Sequence, residues 1–134
     1  MGHKLKGGEA LEFSGDLGSG KTTFIKSLVA GAGSKDEVSS PSFTINNEYM
    51  APKFAIEHFD FYRISNDPGL IKECLSEFLD SSNYVILIEW ADSVRDVLPS
   101  NTIQIKIVLV PDFEDSRVIQ IHYQDSMSYL FHDE

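Results

Sequence analysis

The alternation of hydrophobic and polar residues predicts a mixed sheet in this chain. Most stretches alternate as half-buried strands do, whereas residues 84–88 are continuously apolar, which is typical of a central strand covered on both faces. The predicted strands are residues 9–14, 43–49, 54–63, 84–88, 102–110 and 117–123. The second and third form a hairpin. The last two form an antiparallel pair at a sheet edge, joined by a loop over residues 111–116.

Helical periodicity occupies the segments between these strands. A helix is predicted over residues 21–30, between two glycine-rich segments. A second helix is predicted over residues 66–79, where Asn-Asp-Pro precedes an apolar pattern with helical spacing. A short helix is predicted over residues 91–98, and no structure is assigned to the tail from 124 to 134. Together these elements predict one α/β domain with three layers and a mixed, centrally parallel sheet.

The segment between the first strand and the first helix carries the strongest chemical signal. It reads Gly-Asp-Leu-Gly-Ser-Gly-Lys-Thr and fits the phosphate-binding loop pattern of P-loop nucleotide hydrolases. Its glycines let backbone N–H groups close around phosphates at the positive end of a helix. An ordinary glycine-rich turn needs no Gly-Lys-Thr in this order. The predicted nucleotide-binding residues here are Gly15, Asp16, Leu17, Gly18, Ser19, Gly20, Lys21, Thr22 and Thr23.

The chemistry of the loop assigns roles to two of these side chains. Lys21 would place its ammonium on the β- and γ-phosphates, and the Thr22 hydroxyl would bind Mg²⁺. Thr23 adds a second hydroxyl without an assigned role. Because the loop contacts only phosphates and metal, it does not specify the base.

Two acidic residues at predicted strand ends complete the candidate site. Asp60 lies toward the end of an aromatic strand, where a carboxylate is costly unless a cation, a metal or hydrogen-bond donors meet it. Glu89 follows the central strand, a Walker B position from which it would hold Mg²⁺ or its water shell opposite Thr22. His58 and Arg63 are weaker candidates, because such residues are more often structural partners of carboxylates.

Composition limits the classes of partner. The 134 residues carry 21 acidic and 11 basic side chains, a net charge of −10, which argues against broad binding to nucleic acid or anionic membranes. A basic protein partner suits this charge better. Cys74 is alone, so no intramolecular disulfide forms, and its neighbours indicate a buried helix face. With no long apolar run and no signal-peptide pattern, a cytoplasmic location is expected.

Four segments together resemble the TsaE (YjeE) family, small bacterial P-loop ATPases needed to make the threonylcarbamoyladenosine (t6A) modification of transfer RNA. The resemblance covers most of the chain and keeps the order and spacing of the family motifs. The matching segments are residues 15–23, 40–44 with 47–49, 58–63 and 87–90.

The resemblance implies ATP as the nucleotide, Mg²⁺ as the metal and slow hydrolysis in support of the partner proteins TsaD and TsaB, which modify ANN-decoding transfer RNAs. Lys21 and Thr22 match the phosphate and magnesium positions, and Glu89 matches the Walker B acid. Asp60 matches the acid of a His-Phe-Asp motif. Trp90 matches an aromatic residue beside the nucleotide.

Other features of the resemblance concern loops and ends. Residues 40–44 match a switch-like loop, and residues 34–42 are open to interpretation as a switch region or a plain loop. Ser42 stands where the family has threonine and retains the hydroxyl. Few residues precede the first strand, so the N-terminal layer is expected to be short and to offer fewer adenine contacts. Direct contact with transfer RNA is disfavoured by charge, although Lys4, Lys6 and Lys21 leave it open.

The sequence predicts an ATPase with Lys21, Asp60 and Glu89 as catalytic residues, and it leaves the division of roles between the two acids open. One alternative is a small-molecule kinase. Such kinases usually hold two phosphate-bearing substrates with several arginines, and this chain has only three arginines in all, which counts against this alternative. Another is a nucleotide-gated binding module with little hydrolysis. A GTPase is disfavoured because the sequence lacks an Asn-Lys-x-Asp motif. With no obvious arginine finger, slow turnover and activation by a partner are expected.

Overall fold

A computed structural model describes residues 1–15, 20–39, 46–64, 66–79 and 81–132, and in that part of the chain six strands form one sheet. The strands are β1 (Ala10–Gly15), β2 (Asn46–Met50), β3 (Ala55–Asp60), β4 (Tyr84–Glu89), β5 (Ile103–Val110) and β6 (Phe113–His122). The α-helices are α1 (Lys21–Gly31) and α2 (Pro68–Ser76), and the 3₁₀ helices are Gly2–Lys4, Tyr62–Ile64, Asp92–Val97 and Asp125–Leu130.

The sheet has the order β2-β3-β4-β1-β5-β6. The four central strands run parallel, whereas β2 and β6 pair antiparallel with their neighbours at the two edges. Strand β4 is buried from Val85 to Glu89, which explains its continuous apolar sequence. The predicted mixed, centrally parallel sheet is therefore confirmed.

One hydrophobic core lies on each face of the sheet. On one face, Leu11 and Phe13 of β1 pack with Ile25 and Leu28 of α1. On the other face, Phe59 of β3 and the α2 residues Ile71 and Leu75 form a second cluster with Ile88 of β4. Helix, sheet and helix thus make the three predicted layers.

Local signals set the first residues of both α-helices. Gly20 lies at the N-cap of α1 with φ of 103°, a backbone conformation that glycine adopts without a steric penalty. At the N-cap of α2, the Asp67 carboxylate accepts a hydrogen bond from the Leu70 N–H at 3.1 Å, and Pro68 is the first helical residue. Both helices begin where the sequence predicts.

The predicted boundaries need four corrections. Strand β6 begins at Phe113, so the expected loop over residues 111–116 is only a two-residue turn. β6 is an edge strand with exposed side chains, so its polar residues do not prevent pairing. Strand β3 ends at Asp60 rather than at residue 63, because the chain turns into a 3₁₀ helix there, and α2 ends at Ser76 rather than at residue 79. The expected short helix over residues 91–98 is a 3₁₀ helix.

The tail contains structure where none was assigned. The 3₁₀ helix Asp125–Leu130 buries Met127 and Leu130 against the α1 face of the sheet. Cys74 is partly buried at the edge of the other core. Residues 43–45 of the predicted second strand lie outside the described residues. Within the described ranges, no helix is long and apolar enough to cross a membrane.

We predict that Leu87→Ala destabilises the fold far more than Leu109→Ala. Leu87 is 0% exposed on central strand β4, whereas Leu109 is 38% exposed on β5. Loss of the buried side chain should cost about 2–5 kcal/mol of unfolding free energy. The exposed change should cost less than about 1 kcal/mol. Urea unfolding measures both, and equal losses would contradict the described core.

Candidate functional site

Parallel pairing brings the carboxyl ends of three strands to one edge of the sheet. Asp60, the last residue of β3, is the register partner of Glu89, the last residue of β4. Glu89 also pairs with Phe13 of β1, two residues before the strand ends at Gly15. The start of the predicted phosphate loop and both predicted acids therefore lie at the same edge, where ligands of open α/β sheets bind.

Lys21 contacts the residue at which the predicted phosphate loop begins. Its Nζ donates a hydrogen bond to the Gly15 carbonyl at 3.0 Å, and it lies 5.4 Å from the centroid of the Trp90 ring. Thr22 and Thr23 are exposed in the first turn of α1. The remaining predicted loop residues, Asp16, Leu17, Gly18 and Ser19, lie outside the described residues, and their nucleotide contacts stay a prediction.

Glu89 is held by a buried histidine. The His58 Nε2 lies 2.9 Å from Glu89 Oε2, and the His58 Nδ1 lies 3.0 Å from the Tyr49 hydroxyl oxygen. The Tyr49 hydroxyl in turn donates to the Ser39 carbonyl at 3.0 Å. These contacts form a continuous line of hydrogen bonds from Glu89 at the sheet edge to the backbone that precedes residues 40–45.

Asp60 occupies a different electrostatic environment. Its Oδ1 accepts a hydrogen bond from the Tyr62 N–H at 3.0 Å. Burial raises the pKa of the Asp60 carboxyl above its ordinary value, and the charge of Glu89 raises it further. The hydrogen bond from Tyr62 and the charges of His58 and Lys21 partly oppose that rise. A second acid beside the first thus makes the ionised form of Asp60 costly.

Two large aromatic side chains stand exposed beside this edge. The rings of Tyr62 and Trp90 lie 4.9 Å apart between centroids, and their exposed fractions are 63% and 42%. Trp90 has a φ of 62°, in the left-handed region that is uncommon for non-glycine residues. Unfavourable backbone conformations of this kind are concentrated at functional sites. The Trp90 ring thus has both Lys21 and Tyr62 as neighbours.

A cleft reaches Gly20, the residue that precedes α1. It has a volume of about 580 Å³ and opens between the beginning of α1 and the strands β5 and β6. Its walls include Gly20, Thr23, Phe24, Ile107, Arg117 and Ile119. Sequence reasoning did not find this cleft, because its walls come from segments far apart along the chain.

The structure brings together most of the predicted side chains. Lys21, Asp60, Glu89 and Trp90 lie around one sheet edge, and Thr22 begins the helix beside it. The sequence analysis missed Tyr49, although this residue lies in one of the segments that carry the family resemblance. Its apolar ring on a strand gives no sequence signal of a hydrogen bond to His58. Arg63 is the other weaker candidate, and its side chain lies outside the described part of the structure.

Comparison with known proteins identifies the family. A profile described as "Threonylcarbamoyl adenosine biosynthesis protein TsaE" matches residues 1–119. The chain belongs to the TsaE family. The "tRNA threonylcarbamoyladenosine biosynthesis protein TsaE" of Bacillus subtilis (strain 168) is 39% identical over 112 residues, which cover 81% of this chain and 67% of that protein.

Further TsaE relatives support the same assignment and the fold. The protein of that name from Haemophilus influenzae is 31% identical over 114 residues, covering 85% of this chain and 70% of the relative. The crystal structure of Bacillus subtilis YdiB matches with a TM-score of 0.64 and 33% identity, covering 91% of this chain and 76% of that one. The recognised family and the predicted fold class are both confirmed.

We predict that Asp60→Asn stabilises the protein at pH 8. The pKa of Asp60 is raised in the folded state, so the folded protein keeps this proton to a higher pH than the unfolded chain does. Because ionisation then favours the unfolded chain, the free energy of unfolding falls as pH rises above about 4. The amide removes that loss and keeps an oxygen acceptor for the Tyr62 N–H. Urea unfolding should show a higher free energy of unfolding for Asp60→Asn than for the parent chain at pH 8, and this difference should shrink toward pH 4.

Asp36→Asn is the matched control. It removes the same charge from an exposed position and keeps an acceptor for the Met50 N–H, which the Asp36 carboxylate binds at 2.7 Å. We expect this control to show no comparable gain. A loss of stability at pH 8 in Asp60→Asn would contradict the described electrostatics.

Proposed function

We propose that this TsaE-family chain binds ATP with Mg²⁺ and hydrolyses it slowly, in support of the TsaD and TsaB proteins that modify transfer RNA. The observation that carries the proposal is the meeting of Lys21, Asp60 and Glu89 at the sheet edge where the phosphate loop begins. Family membership supports the role in t6A biosynthesis.

The phosphates of ATP would lie at the beginning of α1. The first turn of this helix offers unpaired N–H groups and the positive end of the helix dipole, both of which favour anions. Lys21 adds a full positive charge whose present acceptor is the Gly15 carbonyl. Exchange of that neutral acceptor for a phosphate oxygen would strengthen the hydrogen bond, because charge-assisted pairs are the stronger ones.

The cleft between α1 and β6 would receive the nucleoside. It shares Gly20 and Thr23 with the phosphate site, so a ligand anchored at the loop reaches it directly. Phe24 and Ile119 provide apolar surface there, and Arg117 and Asp115 provide polar groups. An apolar cleft with a few polar groups is the usual form of a cofactor site.

The donor set at the edge fits Mg²⁺. Among the described residues, no three His, Cys, Asp or Glu side chains gather as a protein-only metal cage. Mg²⁺ commonly binds to one or two protein oxygens together with phosphates and water. Thr22 and Glu89 would hold it here, and the bound ion would neutralise charge on the β- and γ-phosphates.

The two acids would divide the remaining tasks. Either Glu89 or Asp60 would orient the attacking water, while Lys21 and the loop amides stabilise the charge that develops on the phosphates. Glu89 has a histidine on one oxygen, whereas Asp60 receives only a backbone N–H in the described contacts. Separate Glu89→Gln and Asp60→Asn substitutions would assign the two roles.

The contacts given for Arg95 and Arg117, the two arginines whose side chains the structure describes, support slow turnover by the chain alone. Arg95 donates to the buried Glu12 at 2.8 Å, and Arg117 donates to the Glu114 carbonyl at 2.7 Å on β6. Neither contact directs a guanidinium toward Glu89. Because an arginine finger strongly accelerates phosphoryl transfer, we propose that a partner protein supplies a positive charge of this kind.

We predict that Lys21→Ala abolishes ATP binding, whereas Lys26→Ala on the same helix retains it. Lys26 is exposed in α1 and remote from the loop end. Fluorescence of the single tryptophan, Trp90, should report Mg-ATP binding because its ring neighbours Lys21. Phosphate release with and without TsaD and TsaB measures turnover, and the partners should increase it in the parent chain and in Lys26→Ala.

Other outcomes would favour the alternative functions. Phosphate transferred to a small acceptor instead of water would support a kinase. Tight Mg-ATP binding without hydrolysis, even with both partner proteins present, would support a nucleotide-gated binding module. Equal binding by Lys21→Ala and Lys26→Ala would contradict the proposed site.

A further inference from the structure

The hydrogen bonds between Tyr49, His58 and Glu89 lie almost entirely out of solvent. The exposed fractions of the three residues are 3%, 1% and 6%. A buried polar group without a partner is costly, so each of these hydrogen bonds is strongly favoured over its absence. The Glu89 carboxylate therefore has little freedom to rotate away from His58.

His58 is suited to fix the orientation of Glu89. It lies on β3, whose register with β4 is set along the whole strand, so its ring approaches Glu89 from a rigid neighbour. Nε2 engages only one carboxylate oxygen, Oε2. The other oxygen, Oε1, takes no part in this hydrogen bond. The contact with His58 therefore determines which of the two carboxylate oxygens faces away from the histidine.

Tyr49 fixes the histidine ring in turn. The Tyr49 hydroxyl has one proton: when it goes to the Ser39 carbonyl, the hydroxyl oxygen accepts from an Nδ1–H, and when it goes to a bare Nδ1, Nε2 is left to donate to Glu89. Burial raises the pKa of the Tyr49 hydroxyl, which keeps its proton available. The hydroxyl is itself held by the Ser39 backbone, whose carbonyl lies 3.0 Å and whose N–H lies 3.4 Å away.

We propose that His58 is a positioning residue for ATP hydrolysis, which holds the Glu89 carboxylate in its working orientation and depends on the Tyr49 hydroxyl to do so. The inference rests on the proposed function. Residues that orient a functional carboxylate or ligand from behind typically change activity by 10- to 100-fold when they are replaced. A purely structural trio would instead affect stability and leave turnover per folded molecule unchanged.

We predict that His58→Leu lowers the partner-stimulated kcat for ATP by about 10- to 100-fold, and Tyr49→Phe by about 10-fold. The dissociation constant of Mg-ATP, read from Trp90 fluorescence, should change by a smaller factor than kcat, because Lys21, Thr22 and the Glu89 carboxylate itself are all retained. His58→Gln places an amide donor near the original Nε2 and should restore most of the kcat lost in His58→Leu.

Tyr129→Phe is the matched control for loss of a hydrogen-bonded, partly buried tyrosine hydroxyl. The Tyr129 hydroxyl donates to Glu9 at 2.5 Å, away from the sheet edge. This variant should lose stability as Tyr49→Phe does and keep the parent kcat. In a Glu89→Gln background, His58→Leu should have no further effect on kcat, because it acts through Glu89.

Each result distinguishes this inference from the proposed function. If the parent chain hydrolyses ATP and the His58 and Tyr49 variants keep its kcat, the positioning role is wrong and the ATPase proposal stands. If Tyr129→Phe lowers kcat as much as Tyr49→Phe, the effect is one of stability and the inference is also wrong. If the parent chain hydrolyses no ATP with both partner proteins present, both proposals fail together.

Discussion

The parallel register of β1, β3 and β4 is the constraint on which the candidate site depends. Their carboxyl ends reach one edge together, so Gly15, Asp60 and Glu89 become neighbours although they lie far apart along the chain. A one-residue slip of β3 against β4 would turn Asp60 to the opposite face. Burial of the apolar side chains on both faces prevents that slip and thereby maintains the chemistry at the edge.

Several glutamates are buried in this acidic protein, and each has a different local environment. Glu9 accepts backbone N–H groups and a tyrosine hydroxyl, and Glu12 pairs with an arginine. Burial raises the pKa of Glu57 to about 8, so its charge is largely suppressed on the α2 face. Among the glutamates that the structure describes, only Glu89 combines a histidine partner with a position at the open edge of the parallel strands.

Sequence patterns predict the strands that are buried along their whole length, but they miss the features that depend on partners far away in the sequence. Residues 84–88 form a central strand because an apolar run is stable only between two covered faces. The polar residues 114–116 were expected to form a loop, but an exposed edge strand tolerates them. The phosphate loop and both acids follow from local motifs. The Tyr49–His58 contact does not, because it joins two strands whose register the sequence does not specify.

The position of β1 in the sheet also has a consequence for folding. Its two neighbours are β4 and β5, and Ala10 pairs with Ile86 while Leu11 pairs with Ile103. The hairpins β2–β3 and β5–β6, by contrast, join strands adjacent along the chain. Contacts between distant residues form slowly because a long loop must close first. Although the predicted phosphate loop precedes these strands in the sequence, the strand that leads into it cannot pair within the sheet before β4 has been synthesised.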